Sequence, residues 1–347
     1  GYWQLATDEK LDRFGIDYLV EGEAEISAPK LFHSLLEDHP GQKRMVRDRF
    51  PEADEIPPIL GPTNCSLVEI TRGCGRGCKF CAPTTAGKLR SLPLEKIVHD
   101  VKIHADMGYK KVTFQSDDCL RYGSRSLEAD KDMLMNLYDE CFSTGIKELF
   151  ITHASLVTFA DQPEVIEALT KKLRSHGIKY YGCQPGLETG SYRLIDRYMK
   201  GKASPRDPEE WGSTVIEAMK VMKKHKWYPV CTLISGLPEE EVEDIRMTID
   251  LIKKLEGFPA LYIPLFFVPM AMTSLRDREA FIAEKMTTAH WDLMLTCWDH
   301  NLKYIYSMYL LVSKEYHNPF LRFTMKTLTN ILKMGMNLKR EELLRGD

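Results

Sequence analysis

The chain has 347 residues, which is more than one small domain requires, so we expect one large α/β unit with additions, or two units. Lysine and arginine total 47 against 50 acidic residues, and the net charge of −3 lacks the basic excess that is typical of a general nucleic-acid binder. A hydrophobic content of 44% with 28% charged residues is ordinary for a globular protein and excludes a disordered chain.

The sequence predicts neither a membrane span nor a secreted protein. Its most apolar stretch, residues 260–272, is too short to cross a bilayer and carries two prolines. Residues 1–15 show neither a basic nor an apolar leader region, and nine mostly scattered cysteines do not resemble a disulfide framework. We therefore expect a cytoplasmic protein with no transmembrane segment, and the missing initiator methionine suggests a piece of a longer chain.

Strand-like and helix-like segments alternate from residue 66 onward. The predicted strands are 66–72, 111–115, 148–153, 180–188, 229–235 and 260–268, and the predicted helices are 94–107, 128–142, 163–176, 208–226 and 241–255. Strict alternation favours a parallel sheet covered by helices. Six such units fit either a doubly wound sheet or an incomplete barrel, and periodicity alone does not choose between them.

Three cysteines stand close together in the segment RGCGRGCKFCAP, directly after the first of these strands. Cys74, Cys78 and Cys81 are surrounded by glycines that let the backbone fold so that the thiolates converge. Thiolates suit zinc or an iron–sulfur cluster, but a structural zinc site usually takes four ligands in two separated pairs. Three thiolates on a four-iron cluster would leave one iron open, at the edge of the sheet where α/β folds build active sites.

The C-x3-C-x2-C spacing, with Phe80 before the last cysteine, resembles the cluster motif of radical S-adenosylmethionine (radical SAM) enzymes. The resemblance implies a 4Fe-4S cluster held by Cys74, Cys78 and Cys81, S-adenosylmethionine as the second cofactor, and a partial (βα)6 barrel similar to a TIM barrel. It also implies that a reduced cluster cleaves S-adenosylmethionine to a 5′-deoxyadenosyl radical, which takes hydrogen from a substrate in the barrel mouth. An electron donor protein such as ferredoxin or flavodoxin is then expected.

Further segments at the ends of later strands are similar to the S-adenosylmethionine-binding elements of this family. FQSDD resembles the segment near the methionine amino group, GLETGS the element that contacts the ribose and carboxylate, and GLPEE the turn near the adenine. The cofactor-binding residues that this implies are Phe80, Ser116, Asp117, Asp118, Glu188, Ser191 and Gly236. Each segment alone is an ordinary turn or helix start. Their order on four strands, over about residues 60–272, carries the resemblance.

The segment GIDYLVEGEAEISAPKLF resembles the last strand and helix of a cobalamin-binding domain, which has a Rossmann-like fold and precedes the barrel in one branch of the family. The D-x-H-x-x-G segment that ligates cobalt in many such domains is not in this sequence, so the cobalamin site would lie largely outside this chain. The predicted domains are residues 1–36, the end of this domain; 37–59, a linker; 60–272, the radical SAM barrel; and 273–347, a helical C-terminal extension.

The leading functional hypothesis is cobalamin-dependent methyl transfer to an unactivated centre of a small-molecule or lipid-like substrate, with no nucleic acid as partner. Arg121 and Tyr122, after the second strand, are candidates to reach the substrate. We expect residues 273–347 to pack against the barrel mouth, with an aromatic run suited to a large or apolar substrate. This run is Trp291, Trp298, Tyr304, Tyr306 and Tyr309.

Two other readings stay open. The first is a radical SAM enzyme without cobalamin, either a C–C bond-forming enzyme or one resembling the methylthiotransferases. A methylthiotransferase should carry a second cysteine triad upstream and an RNA-binding tail, and the sequence shows neither. The second is a non-catalytic metal-binding module, such as a structural zinc protein or an electron carrier, although an electron carrier ordinarily ligates every iron with protein thiolates.

Overall fold

The computed structural model describes residues 7–37, 44–82, 88–312 and 319–345. The first six residues of the predicted segment 1–36, residues 38–43 of the predicted linker and the side chain of Tyr309 lie outside this described part. Within the described ranges, no helix combines the length and the apolar character needed to cross a membrane.

The chain folds into an open barrel of parallel strands wrapped by helices, preceded by a small α/β segment. The strands are β1 (Leu19–Glu21), β2 (Met45–Arg47), β3 (Leu67–Glu69), β4 (Thr71–Arg72), β5 (Arg90–Ser91), β6 (Lys111–Gln115), β7 (Glu148–Ile151), β8 (Tyr181–Cys183), β9 (Gly186–Glu188), β10 (Trp227–Ser235) and β11 (Leu261–Phe266). The helices are α1 (Asp8–Arg13), α2 (Ala24–Leu36), α3 (Leu94–Asp106), α4 (Lys131–Ser143), α5 (Leu156–Asp161), α6 (Pro163–Ser175), α7 (Tyr192–Ala203), α8 (Trp211–His225), α9 (Val242–Lys254), α10 (Thr288–Val312) and α11 (Pro319–Arg345).

Six parallel strands form the barrel wall in chain order. One ladder joins β3, β6 and β7, and a second joins β8, β10 and β11. The backbone N–H of Gln184 donates to the carbonyl of Thr152 over 2.7 Å and connects the two ladders. A doubly wound sheet would reverse its strand order partway, whereas this order runs in one direction. The predicted partial (βα)6 barrel is therefore confirmed.

Two predicted strands are interrupted in the structure. Residues 66–72 form β3 and then β4, which leaves the wall and pairs antiparallel with β5. Residues 180–188 form β8 and β9, separated at Gln184 and Pro185, because proline has no N–H with which to continue a ladder. Both interruptions precede segments that the sequence assigns to the site.

Two predicted helices begin later than their apolar period suggests. The helix predicted at 128–142 starts at Lys131, because the Asp130 carboxylate accepts from the backbone N–H of Met133 over 3.0 Å and caps the first turn. The helix predicted at 208–226 starts with a 3-10 turn, Pro208–Glu210, before α8. The inward faces agree with the prediction, as in α6, where Val165, Ile166, Leu169 and Leu173 are buried.

Most of helix α10 covers the side of the barrel, which differs from the prediction that residues 273–347 pack against its mouth, whereas Phe281 and the start of α10 do contact the turn at the carboxyl end of β10. Near its start, His290 lies 3.1 Å from Glu240 at the carboxyl end of β10. Further along, Asn301 exchanges two 2.7 Å hydrogen bonds with the backbone of Tyr262, and Tyr304 donates to the carbonyl of Glu256 beyond α9. The helix thus spans the height of the wall as the sixth helix of the barrel, and most of the aromatic run lies away from the mouth.

The N-terminal segment is a parallel strand pair with α2 beside it. Leu19 of β1 is in register with Met45 of β2, so a strand lies inside the region predicted as a linker. At the start of α2, the Glu23 carboxylate accepts from Arg72 over 2.7 Å and from Arg90 over 3.1 Å. These ion pairs attach the segment to β4 and β5, next to the cysteine loop.

Candidate active site

The loop that carries the three cysteines begins directly after β4. Gly73, Gly75 and Gly77 have φ angles of 73°, 68° and 71°, a left-handed conformation that residues with a Cβ rarely adopt. The alternation of left-handed glycines with Cys74 and Arg76 coils the loop tightly. The glycines in the motif therefore serve the loop's shape, as the sequence predicts.

Helix α7 supports the loop from outside the barrel. The backbone N–H of Lys79 donates to the carbonyl of Tyr198 over 2.8 Å, and the Arg76 guanidinium donates to the carbonyl of Gly201 over 3.1 Å. A Cβ on Gly201 would lie 1.9 Å from the carbonyl oxygen of Arg76, so only glycine permits this approach. The loop is thus seated on a helix more than 100 residues later in the sequence.

Two buried arginines fix the loop from the barrel side. Arg121 donates to the carbonyl of Cys74 over 2.5 Å and to the carbonyl of Ser126 over 3.1 Å. Arg76 lies 3.5 Å from the carboxylate of Asp118. The sequence suggested that Arg121 and Tyr122 reach the substrate; instead, Arg121 holds the loop, and the Tyr122 hydroxyl donates to the carbonyl of Leu92.

The three thiols lie in a desolvated environment and are close enough to influence one another. Burial raises the pKa of each, and the neighbouring Cys74 and Cys78 contribute to raising the pKa of Cys81 to about 12. Lys202 opposes this rise at Cys78 and Cys81, because a positive charge favours the thiolate.

The chemistry of the three thiols is that of ligands to an iron–sulfur cluster. Among the described residues, no three His, Cys, Asp or Glu side chains converge closely enough to hold one ion. A tetrahedral zinc would need its sulfur ligands about 2.3 Å from one point. The ligands of a four-iron cluster each hold a different iron and can stand further apart. The cluster that the spacing of Cys74, Cys78 and Cys81 predicts is compatible with this set of three thiols and stays a prediction.

Ser116 and Asp118, two of the predicted cofactor contacts, are buried and hold the site's framework. The Ser116 hydroxyl bonds to the Thr71 hydroxyl and accepts from the backbone N–H of Asp118 over 3.0 Å. One Asp118 oxygen accepts from the backbone N–H of Ser155 over 3.2 Å, and the other faces Arg76. These contacts join β4, β6 and the segment after β7 around the loop.

Asp117 points into a cleft at the carboxyl end of β6. The cleft has a volume of about 240 Å³ and is lined by Glu23, Glu69, Thr71, Arg72, Gly73, Arg90, Gln115, Ser116 and Asp117. Although Asp117 is reached by solvent, the surrounding protein partly desolvates its carboxylate and raises its pKa. Of the three residues predicted from FQSDD, Ser116 and Asp117 line this cleft, and Asp117 is the exposed one.

Glu188 lies at the end of β9 in a strained backbone conformation, with a φ of 63°. Its carboxylate accepts from Lys202 over 3.0 Å and from the Thr232 hydroxyl over 3.4 Å, and the side chain is almost fully buried. A non-glycine residue in the left-handed region costs about 1–3 kcal/mol and is often found at functional sites. The predicted residue is therefore held close to the cluster loop by a lysine that sequence reasoning missed.

Ser191 faces away from the cleft in the structure. It is fully buried, its hydroxyl accepts from the backbone N–H of Leu194 as the cap of α7, and it donates to Asp244 of α9 over 2.5 Å. Arg193 pairs with the same carboxylate. The predicted contact of Ser191 with S-adenosylmethionine stays a prediction, while its observed contacts join α7 to α9.

The turn after β10 is held by residues of the C-terminal region. The backbone N–H of Gly236 donates to Glu240 over 2.7 Å, and His290 of α10 bonds to the same carboxylate oxygen over 3.1 Å. Phe281 lies over the face of Gly236, where a Cβ would approach its ring to 1.9 Å. Phe80, on the cysteine loop, is half buried against the core.

Lys202, Arg76 and His290 are the site residues that sequence reasoning missed. Lys202 and His290 are separated along the chain from the groups they contact, so no local sequence pattern indicates these contacts. Arg76 stands inside the cysteine motif, where its charge was visible but its partners were not.

A family model described as the radical SAM superfamily matches residues 68–252, more than half of the chain. The chain is 26% identical over 253 residues to a tRNA-2-methylthio-N(6)-dimethylallyladenosine synthase of Thermotoga petrophila, covering 72% of this chain and 53% of that protein. It is 27% identical over 206 residues to the threonylcarbamoyladenosine tRNA methylthiotransferase MtaB of Aquifex aeolicus, covering 58% and 45%. The chain thus spans about half the length of these curated relatives.

Among solved structures, the cobalamin-dependent S-adenosylmethionine radical enzyme OxsB has a similar fold. The TM-score is 0.51 at 14% identity, and the match covers 80% of this chain and 41% of OxsB. At this identity the likeness concerns the fold, and it agrees with the partial barrel. Together with the family match and the cysteine loop at the carboxyl end of the barrel strands, it leads to one conclusion: the chain belongs to the radical SAM superfamily.

Proposed function

We propose that Cys74, Cys78 and Cys81 hold the iron–sulfur cluster of this radical SAM enzyme and that S-adenosylmethionine binds beside it. The observation that carries this proposal is the loop itself, in which three mutually close thiols are seated by Arg76, Arg121 and α7. When bound and reduced, such a cluster supplies the electron that cleaves S-adenosylmethionine.

The chain's own residues then bind and orient the cofactor. Asp117 offers an exposed carboxylate in the cleft, which suits the ammonium group of the methionine part. Lys202 and Glu188 form a buried ion pair close to the loop. We propose that this pair lines the opposite side of the same cofactor-binding site. Ser116 and Asp118 fix the backbone that aims Asp117.

For the reaction, we propose cobalamin-dependent methyl transfer. The N-terminal segment, with its resemblance to the end of a cobalamin-binding domain, is fastened by Glu23 to Arg72, two residues before Cys74. A cobalamin domain continuing from this segment would stand beside the cluster loop and the cleft. With methyl transfer we also propose the substrate class expected from the sequence, a small or lipid-like molecule.

The second candidate is methylthio transfer, which the names of the curated relatives favour. Those names include tRNA and, for a relative in Nitratiruptor, ribosomal protein uS12. Under this candidate the substrate would be a macromolecule, contrary to the expectation that no nucleic acid is bound.

One readout separates the candidates, because both consume a methyl group of S-adenosylmethionine and release S-adenosylhomocysteine. The chain is reconstituted anaerobically with iron and sulfide, desalted, reduced and divided into two arms, one with added cobalamin and one with added sulfide. Release that depends on cobalamin and exceeds the rate without protein supports methyl transfer. Release that depends on sulfide and not on cobalamin overturns it in favour of methylthio transfer. No release in either arm contradicts both candidates as reactions of this chain by itself, since most of the cobalamin site is expected outside it.

A further inference from the structure

Helix α11 forms the outermost layer of the C-terminal region. Helix α10 lies against β11 through the paired hydrogen bonds of Asn301 with Tyr262, and α11 packs against the outer side of α10. Arg340 anchors it by donating to Asp299 of α10 over 2.6 Å. Barrel, α10 and α11 therefore follow one another from the core to the solvent.

Six large apolar side chains of α11 are exposed to solvent. Leu332 lies at the edge of one side of the helix, and the other five share that side: Phe323, Leu328, Ile331, Met334 and Leu338. The exposure of these five ranges from 49% at Leu328 to 82% at Leu338, so each leaves about half or more of its surface open to solvent. We refer to these five residues as the α11 stripe.

The α11 stripe occupies one side of the helix. At 100° per residue, its members fall within an arc of about 140°. Between Phe323 and Leu338 the other positions on this arc include Thr327 and Gly335 but no charged residue, and beyond Leu338 Glu341 and Glu342 fall on the same arc. Met336 and the anchor Arg340 are partly buried and lie on the opposite side. Phe323 and Leu338 are about 22 Å apart along the axis, at 1.5 Å per residue.

Positive charge borders this stripe on both sides. Lys326 and Lys333 lie along one border and Lys339 along the other, and all three are exposed. Over the whole of α11, residues 319–345, the sequence contains six basic residues and two acidic ones, on a chain whose net charge is −3. An apolar stripe between lysines is typical of helices that lie in the interface of an anionic bilayer.

The charges also argue against a second copy of the chain as the occupant. A symmetric pair of α11 helices joined through the stripe would bring the bordering lysines of both copies together, in either a parallel or an antiparallel arrangement. Like charges so placed repel one another. An anionic lipid surface instead offers apolar depth to the stripe and negative charge to the lysines.

We propose that α11 is a membrane-surface helix that docks this protein on an anionic lipid bilayer. The α11 stripe would lie among the upper acyl chains, with Lys326, Lys333 and Lys339 at the level of the head groups. The proposal does not depend on the reaction that the site performs, and its test needs neither cluster nor substrate.

The test is flotation of the whole chain with vesicles of phosphatidylcholine alone or phosphatidylcholine mixed with phosphatidylglycerol. We expect binding to the mixed vesicles that weakens with added salt. Ile331→Asp combined with Leu338→Asp should abolish it, and Lys326→Glu combined with Lys333→Glu should weaken it by at least about tenfold, since each lysine near such a surface contributes about fivefold. Val242→Asp is the matched control, because Val242 is an exposed apolar residue at the start of α9, outside this helix.

Circular dichroism of each variant checks that the fold is retained, and light scattering reports the mass without lipid. Failure to float with mixed vesicles, equal binding to both vesicle types, or loss of binding in the Val242→Asp control would each overturn the proposal. A molecular mass of two chains, reduced to that of one chain by Ile331→Asp combined with Leu338→Asp, would also overturn the proposal. It would identify a second copy as the occupant of the α11 stripe.

Discussion

Arg121 is expected to determine whether the cysteine loop keeps its shape. Replacing it by methionine, Arg121→Met, keeps much of the side chain's apolar volume but removes the donors to the carbonyls of Cys74 and Ser126. The matched control is Arg125→Met, the same chemical change four residues later at an exposed position.

The expected loss of stability depends on whether each carbonyl can hydrogen-bond to water once Arg121 is removed. Ser126 is exposed and its carbonyl can turn to water, whereas Cys74 is half buried and its carbonyl has less access to water. A hydrogen bond from a charged donor contributes about 1.5–3 kcal/mol, and an unsatisfied buried acceptor costs a similar amount. Removing a buried guanidinium, whose pKa is lowered mainly by burial, offsets part of this. We expect Arg121→Met to lower the free energy of unfolding by about 2–3 kcal/mol, and Arg125→Met by less than about 0.5 kcal/mol.

Urea unfolding of the chain without cluster measures the loss of stability. Iron and sulfide content after anaerobic reconstitution measures the capacity of the loop to hold a cluster. Arg121→Met should retain less iron per chain than the wild type, while Arg125→Met should match it. If Arg121→Met were as stable as Arg125→Met and took up the same amount of iron, the role assigned to this arginine would be wrong.

Three further predictions concern the ion pairs and the cap around the site. Hydrogen bonds from Arg90 and Arg72 outweigh the opposing effect of burial and lower the pKa of Glu23 below its ordinary value of 4.5. The contribution of Glu23 to stability is therefore complete above pH 4.5 and is lost as the pH falls from there through the lowered pKa. In urea unfolding across pH, the difference in unfolding free energy between wild type and Glu23→Gln should shrink only below pH 4.5. Ser191→Ala should lower the unfolding free energy by about 1–2 kcal/mol through the lost cap, with Ser191→Asp retaining the cap but facing the Asp244 carboxylate and therefore failing to restore it fully. Lys202→Met should destabilise the chain by about 3 kcal/mol because it leaves Glu188 buried without its cation, and adding Glu188→Gln should recover part of that loss; no recovery would mean that the pair is not coupled.

The sequence predicts the barrel because apolar periodicity is a local property of each segment. The helix faces, such as Val165 to Leu173 in α6, and the order of the six wall strands follow from it. What periodicity does not show is where a strand leaves its ladder. The antiparallel pairing of Thr71 with Ser91 depends on a partner 20 residues away across the cysteine loop.

The site is predictable where chemistry and spacing coincide and not where contacts are long-range. Residue type and spacing are enough to identify the three candidate ligands, Cys74, Cys78 and Cys81. Ser191 matches a family motif, yet in the structure its hydroxyl caps α7 and bonds to Asp244, an acceptor 53 residues later.

If the loop of three cysteines holds the cluster, it should support radical cleavage of S-adenosylmethionine. The most direct measurement is mass-spectrometric detection of 5′-deoxyadenosine after anaerobic reconstitution with iron and sulfide, reduction, and addition of S-adenosylmethionine. A triple Cys74→Ala, Cys78→Ala, Cys81→Ala variant is compared with Cys65→Ala, whose cysteine is exposed and outside the loop. We expect product from the wild type and from Cys65→Ala but none from the triple variant. Protein that takes up one zinc ion, forms no iron–sulfur cluster and yields no 5′-deoxyadenosine would contradict it.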